Sequence, residues 1–371
     1  MSNLASFRLQ NGDWIDLASY PSLKVARHLG QVALSVARRL NILDRELRVT
    51  STKTDVIIPL SRMPSEEDLV AIKSALKHYQ ILNYPFRKRE PRMRSLIEIL
   101  NGRLPPHLMA CLPRAYDVIG DVVILELPKS LLAYGQTVGD AVKQLNPRCR
   151  TVLAKAGPVA DTFRTRDFLT LSGEQTTITE HSERGCLFRL DPRKVYFSPR
   201  LSYERQRLAS KVMRGEIIVD MFAGAGPISI VIARSGNAER IYAFDINPEA
   251  VLFMLQNIKL NSLRGKMTAI LADVTGITAN MLFHSADRVI MNLPERSLMF
   301  IPESCSFLKP EGGVIHLYTF ASEGVSRENL SVLIRERVES AGRRLVAIEA
   351  VRTVKAVAPR QWQLAYDIRV A

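Results

Sequence analysis

Apolar residues near the start of the chain recur every three to four positions: Val25, Leu29, Val32, Val36 and Leu40 predict an amphipathic helix over Ser22 to Leu43. A short strand is expected over Asp55 to Leu60. After Pro64, the stretch SEEDLVAIKSALKH reads as a second helix whose acidic first turn suits the helix dipole. From Leu104 the texture turns to β. Val122 to Leu127 is a dense run of β-formers after a Gly-Asp turn, and RTVLAKAG and TTITEHSERGCLFRL supply further short strands, which together suggest a middle α+β domain.

The pattern changes again towards the C-terminus. Ile217 to Ile230, IIVDMFAGAGPISI, is an apolar β-run that ends in Asp220 and turns through Gly224 and Gly226 into an apolar helix. Glycine there lets the backbone approach a ligand closely, and the helix N-terminus adds donors. IYAFDIN (Ile241 to Asn247) predicts a second strand ending in Asp245, roughly the spacing, about 20 residues past the turn, at which such folds hold a ribose diol. A third strand, Met267 to Ala272, ends in Asp273, and a fourth, Ala286 to Met291, runs into Asn292-Leu293-Pro294. Strands that each end in a polar residue describe a doubly wound α/β sheet with a crevice along its C-terminal edge. A dinucleotide site lacks support, because Ser229 stands where the third glycine of G-x-G-x-x-G belongs.

The implied organisation is a small N-terminal α/β module over residues 1–62, a helical and basic linker over 63–103, the middle domain over 104–194 and the doubly wound domain over 195–371. RKREPRMR, Arg87 to Arg94, is the basic part of the linker, either solvated or touching phosphate. At 371 residues, two or three domains are expected, and a formal charge of +14 favours a polyanionic partner, nucleic acid above all. The four cysteines form no C-x-x-C pair and the six histidines no H-x-x-x-H, so no metal is expected. The N-terminal segment lacks a basic start followed by an apolar core, and no apolar run reaches about 18 residues, so a cytoplasmic, membrane-free protein is expected.

Directly before the glycine turn lies VYFSPRLSYERQRL, Val195 to Leu208. Ser198-Pro199 suits a helix start, Ser as N-cap and Pro at the first helical position. In such a helix Arg200 and Glu204 share a face at i, i+4, and Arg207 follows Glu204 at i+3, an arrangement that also describes an ordinary surface ion pair.

The FAGAGP turn, the acidic second and third strands and Asn-Leu-Pro resemble the class I S-adenosylmethionine-dependent methyltransferases. Joined to FSPRL-x-x-ER upstream and DRVIMNLP downstream, they are similar to the archaeal and eukaryotic tRNA (guanine-N1)-methyltransferases that modify position 37, next to the anticodon. CLPRAYDVIGDVVILELP, FRTRDFLTLSGE, GGVIHLYTF and APRQWQLAYDI also look like segments of that family, and the N-terminal module is a weaker match.

The resemblance implies a Rossmann-like sheet with an S-adenosylmethionine site formed by Asp220, Phe222, Gly224, Gly226, Asp245, Ile246, Asp273, Val274, Asn292 and Pro294, with Asp245 on the ribose and Asp273 near the adenine. It implies Glu204 as general base, Arg164 stabilising charge on O6 of the guanine, and Asn292 fixing the base edge. Tyr196, Arg200 and Arg205 would line the target pocket. Guanine N1 carries a proton in the neutral base, so its lone pair is released only when a base removes that proton and a cation accepts charge on O6. The implied partner is tRNA, at the anticodon loop and the outer corner, bound by a monomer that splays the target base out.

Departures from the family pattern are Tyr203, where a small residue is common, and Glu295-Arg296-Ser297 after Asn-Leu-Pro. Related activities at the same nucleotide are C7 methylation of the tricyclic wyosine precursor and aminocarboxypropyl transfer from the same cofactor. A 5-methylcytosine methyltransferase would need a cysteine after proline in the Asn-Leu-Pro loop, and Cys305 is the one cysteine nearby. A non-enzymatic tRNA-binding protein would not need Asp245, Glu204 and Asn292.

Overall fold

The structure is a computed structural model that describes residues 5–8, 14–17, 19–88, 95–157, 166–277, 282–324 and 326–371. Contacts divide the chain into two compact units, Met1–Met93 and Arg94–Ala371.

In the N-terminal unit a four-stranded antiparallel sheet runs in the order Thr50–Ser51, Asp55–Pro59, Ser19–Ala26, Gln80–Pro85. The helix expected over Ser22 to Leu43 therefore begins as a strand. Leu23 and Val25, two apart, are buried against Ile58 and Ile72, so the local period is two, and only Gly30–Arg39 is α-helical, with Ala33, Val36 and Ala37 inward.

A module ending at residue 62 is also corrected. Helix Glu66–Ala75, started by a capping box between Ser65 and Asp68, sends Ile72 into that core, and Gln80–Pro85 is a strand of the sheet. On the other side of the expected linker, Leu96–Leu100 buries Leu96, Ile99 and Leu100 with Val138 and Val142 of the larger unit. Of the basic RKREPRMR run, residues 89–94 lie outside the described residues.

The larger unit begins with a sheet ordered Phe168–Gly173, Thr151–Lys155, Val122–Leu125, Tyr116–Ile119. Alternation along Val122–Leu125 sends Val123 and Leu125 towards helix Gly135–Leu145, and Val122 and Ile124 into a core shared with Phe188, Ile218 and Ala225. That shared core makes the expected middle and C-terminal domains one compact unit, without a boundary at residue 194.

The large sheet has seven strands, here numbered β1 (Ile217–Asp220), β2 (Arg240–Asp245), β3 (Met267–Leu271), β4 (Arg288–Met291), β5 (Gly313–Ser322), β6 (Leu345–Ala358) and β7 (Gln361–Val370), in the order β3-β2-β1-β4-β5-β7-β6. β1 to β5 are parallel; β7 is antiparallel to β5 and to β6. The order reverses at β1, which lies between β2 and β4, and a doubly wound sheet opens its ligand crevice at the C-terminal ends of strands at such a point. Three helices frame that edge: α1 (Ser202–Lys211), α2 (Pro227–Ser235) and α3 (Pro248–Leu260).

Two asparagines one turn apart, Asn257 in α3 and Asn261 at its C-cap, serve as a neighbouring strand for Cys186–Leu190. Asn261 accepts from Leu187 N at 2.9 Å and donates to Leu187 O at 2.7 Å. Asn257 does the same with Arg189, at 2.6 and 3.0 Å, and its amide also donates to Ala225 O at 3.0 Å. Buried amides that complete a strand edge avoid unpaired backbone groups and here tie the hairpin of Thr179–Glu183 and Cys186–Leu190 to the glycine turn.

Candidate active site

A cavity of about 640 Å³ opens at the C-terminal edge of the sheet, between the glycine turn after β1, the ends of β2 and β3 and the Asn292-Leu293-Pro294 loop after β4. Gly224 and Gly226 both have left-handed backbone, φ +58° and +84°. A Cβ on Gly226 would lie 3.0 Å from Met254 Cγ, so conformation and space both call for glycine. At Gly224 a Cβ would meet nothing nearer than Tyr196 O at 3.9 Å: the side left bare by this residue faces open space. Asp245 fastens the turn, accepting from Gly224 N at 2.6 Å through Oδ2 and from Asn247 N at 2.9 Å through Oδ1. Asn247 caps α3 by accepting from Glu249 N.

Of the sequence-expected cofactor residues, Phe222, Gly224, Asp245, Ile246, Asp273, Val274 and Asn292 line the cavity. Asp220, Gly226 and Pro294 do not. Asp220 is fully buried and accepts from Ser229 Oγ at 2.6 Å; burial, with a contribution from the Asp245 charge and against the bond from Ser229, pushes its carboxyl up to about 7. Gly226 is the N-cap of α2, and Pro294 is buried within its loop. The lining carries four carboxylates, Asp245, Asp273, Glu295 and Glu303, and two arginines, Arg205 and Arg296. Arg205 is already neutralised by Glu183, so the electrostatic balance suits a cationic ligand better than a pyrophosphate.

The second part of the site lies behind α1. Glu204, 3% exposed, does not line the cavity, although Leu201 and Arg205 beside it do. Its Oε1 accepts from Tyr318 Oη at 2.6 Å and from Arg207 Nε and Nη2 at 3.0 and 2.7 Å; Oε2 faces the Arg352 guanidinium. Arg207 turns its remaining donors to Asp367, at 2.6 and 3.1 Å, and Lys211 adds a bond to Asp367 at 2.7 Å. His316 Nδ1 meets Asp367 Oδ1 at 2.5 Å, while its Nε2 lies 2.7 Å from Arg288, itself paired with Glu216. Because Arg288 can only donate, Nε2 accepts and the proton of the neutral ring sits on Nδ1, donated to Asp367. Burial lowers the pKa of His316, the Arg288 and Arg207 charges add to this, and Asp367 opposes it. Burial would raise Asp367, yet the bonds from His316, Arg207 and Lys211 hold it well below the usual carboxylate range. Tyr318 is pushed up by burial despite Arg207.

Three expectations for this segment are corrected. Ser198 makes no side-chain cap, because Pro199–Leu201 is a 3-10 turn and α1 starts only at Ser202. Arg200 does not pair with Glu204; it is half-exposed and bonds Asp117 at 2.7 Å. Arg205 reaches the cavity wall but is 2% exposed, held by Glu183 at 2.9 Å and by the Ser198 carbonyl at 3.2 Å, with Phe197 5.1 Å from its guanidinium, so it braces the fold. Tyr196 lines the cavity and its hydroxyl accepts from Lys355 at 3.1 Å. Arg164 lies outside the described residues.

Sequence reasoning passed over His316, Tyr318, Gln363 and Asp367. Gln363, buried on β7, donates to Asn292 Oδ1 at 3.4 Å. The readable signal was polar residues inside apolar β-runs, GVIHLYTF and QWQLAYDI, because buried strands admit such residues only with partners. His316 and Tyr318, two apart, had to share a face.

Among the described residues no helix is long and apolar enough to cross a membrane, and no group of three or more His, Cys, Asp or Glu is placed to hold a metal ion.

Comparison with known proteins gives two family matches, the TRM5/TYW2 methyltransferase domain over residues 179–346 and the TYW2 N-terminal domain over residues 96–176. The chain is 36% identical over 303 residues to a protein of Pyrococcus abyssi named tRNA (guanine(37)-N(1))-methyltransferase Trm5b, covering 82% of this chain and 88% of that protein. It is 34% identical over 254 residues to a Methanocaldococcus jannaschii tRNA(Phe) (4-demethylwyosine(37)-C(7)) aminocarboxypropyltransferase, covering 68% and 97%. Among solved structures, a complex of aTrm5 with tRNALeu superposes with TM-score 0.69 at 32% identity over 94% of this chain and 99% of that one. The described fold and these similarities agree: the chain belongs to the TRM5/TYW2 methyltransferase family.

Proposed function

We propose that this protein is an S-adenosylmethionine-dependent tRNA methyltransferase that forms N1-methylguanosine at position 37, beside the anticodon. One observation carries the choice among the family's activities. The Methanocaldococcus jannaschii protein named tRNA (guanine(37)-N(1))-methyltransferase Trm5b covers 94% of this chain with 98% of its own length. The aminocarboxypropyltransferase of the same organism, matched over 97% of itself, leaves about a third of this chain without a counterpart, reaching only 68%. The N-terminal unit, Met1–Met93, thus has a place in the guanine-N1 relatives, and its role here is a second grip on tRNA.

The cavity fits the cofactor: bare space at Gly224, a carboxylate at the end of β2 for a ribose diol, and carboxylates that suit a sulfonium and an amino group. Bound S-adenosylmethionine supplies an electrophilic methyl group. The chain's own residues do the rest. Asp245 and Asp273 orient the nucleoside, Phe222, Ile246 and Val274 flank it, and Asn292 fixes the guanine edge at the cavity mouth. Glu204 takes the N1 proton once Arg352 gives way to the incoming base, and Arg164 offsets charge on O6. Tyr196 positions RNA. Arg200, exposed, serves phosphate contact. The protein acts as a cytoplasmic monomer, and its four cysteines are free thiols.

The wyosine pathway is the second reading, favoured by the match of residues 96–176 to the TYW2 N-terminal domain. Incubating unmodified tRNA transcripts bearing G37 or A37 with labelled cofactor, then weighing the modified nucleoside, separates the two. The proposal expects a methylated guanosine from G37 alone; an aminocarboxypropyl adduct, or reaction only on a wyosine-precursor tRNA, would refute it.

A further inference from the structure

The hydrogen bonds to Glu204 are unequally divided. Tyr318 Oη and two nitrogens of Arg207 all donate to Oε1, whereas among the described residues Oε2 has only Arg352 before it, from the edge strand β6. The donors on Oε1 are the fixed ones. Tyr318 is 1% exposed on the inner strand β5, and Arg207 is clamped by Asp367, which His316 and Lys211 hold in turn. Arg352 has a side chain 26% exposed and lies 5.9 Å from the ring of Tyr203 at the surface of α1.

We propose that Tyr318 is a positioning residue: with Arg207 it locks Oε1 of Glu204 and so assigns Oε2, which the Arg352 side chain can uncover, as the oxygen that takes the proton of guanine N1. The inference rests on the reading of Glu204 as general base. In the step, the N1–H bond of guanine breaks and an Oε2–H bond forms, and the electron pair left on N1, shared with O6, becomes the nucleophile. Three donors on one oxygen also favour the ionised carboxylate in a buried place that would otherwise favour the acid, and a protonated carboxyl takes no proton. Among the described residues the groups facing Glu204 are Tyr318 from β5, Arg207 from its own helix and Arg352 from β6, with Asp367 and His316 behind Arg207 and Asp220 of β1 acting electrostatically on Tyr318.

The test is single-turnover methylation of G37 tRNA against pH for wild type, Tyr318→Phe, Glu204→Gln and the double variant, with melting temperature and cofactor affinity measured alongside. Tyr318→Phe keeps the ring and should melt within a few degrees of wild type and bind cofactor unchanged. Its rate should fall about tenfold or more, in keeping with a lost hydrogen bond to a charged group, and the acid limb of its profile should move to higher pH. In the Glu204→Gln background the same substitution should add no further loss, because it acts through the carboxylate. An inactive Glu204→Gln beside a Tyr318→Phe variant with wild-type rate and acid limb would overturn this inference and leave the base intact, and so would losses that simply multiply. A Glu204→Gln variant with wild-type rate would overturn the base and the inference together.

Discussion

The cofactor cavity and the charged cluster behind α1 are neighbours built on opposite principles. The cavity is shaped by backbone: two left-handed glycines, a carboxylate that accepts from main-chain N–H groups, and strand ends brought together by the sheet order. The cluster is made of side chains. Glu204, Arg207, His316, Tyr318, Arg352 and Asp367 bond or pair with one another in a largely buried place, so each constrains the next. Substitution at the backbone-built pocket should act on cofactor affinity, whereas substitution in the polar cluster should act on the carboxylate at its centre.

The largest effect expected of that contrast is on chemistry. Glu204→Gln should lower turnover by about a hundredfold or more, in the range typical of a lost general base, with cofactor affinity within about twofold of wild type, as titration calorimetry would show. Next comes stability. Arg205→Met leaves Glu183 buried without its partner and should destabilise the fold by about 3–5 kcal/mol in denaturant unfolding, an outcome unlike that of an RNA-contacting arginine. On the cavity side, Asp245→Ala should weaken cofactor binding by roughly tenfold or more while leaving the rate at saturating cofactor nearly intact; a collapse of that rate instead would merge the two regions into one.

The last effect concerns Asp220, between them, and is read as a slope with pH. Its folded pKa of about 7 lies above the ordinary 3.8, so the folded state binds more protons than the unfolded state in that window and wild type loses stability as pH rises through it. Asp220→Asn removes this slope. The melting temperature of the variant relative to wild type should climb between about pH 4 and 7 and level off above. His316, held neutral, pulls the other way, costing stability as pH falls below 6.5 in both proteins, and therefore cancels from the difference.

The same contrast explains what could be read from the sequence. The glycine turn, Asp245 and Asp273 lie within one βαβαβ stretch, where strand ends and local spacing dictate positions, and the doubly wound sheet followed from them. The cluster draws residues from α1, β5, β6 and β7, 160 positions apart in the case of Arg207 and Asp367, and only the tertiary fold brings them together. Helix periodicity correctly placed Arg207 against Glu204 at i+3, but could not foresee that Asp117 would take Arg200 or that Glu183 would take Arg205, since both acids arrive from the preceding sheet and hairpin. Likewise Val25 fitted a helical repeat with Leu29 and Val32 as well as an alternating one with Leu23, until the pairing with Asp55–Pro59 and Gln80–Pro85 decided for a strand.

A structure with cofactor product and G37 tRNA bound would test the central claim most directly. The account predicts Glu204 Oε2 about 3 Å from guanine N1, with Arg352 moved aside and Tyr318 and Arg207 still on Oε1. A guanine seated at the cavity mouth while Glu204 remains sealed against Arg352, beyond hydrogen-bond reach of N1, would contradict it.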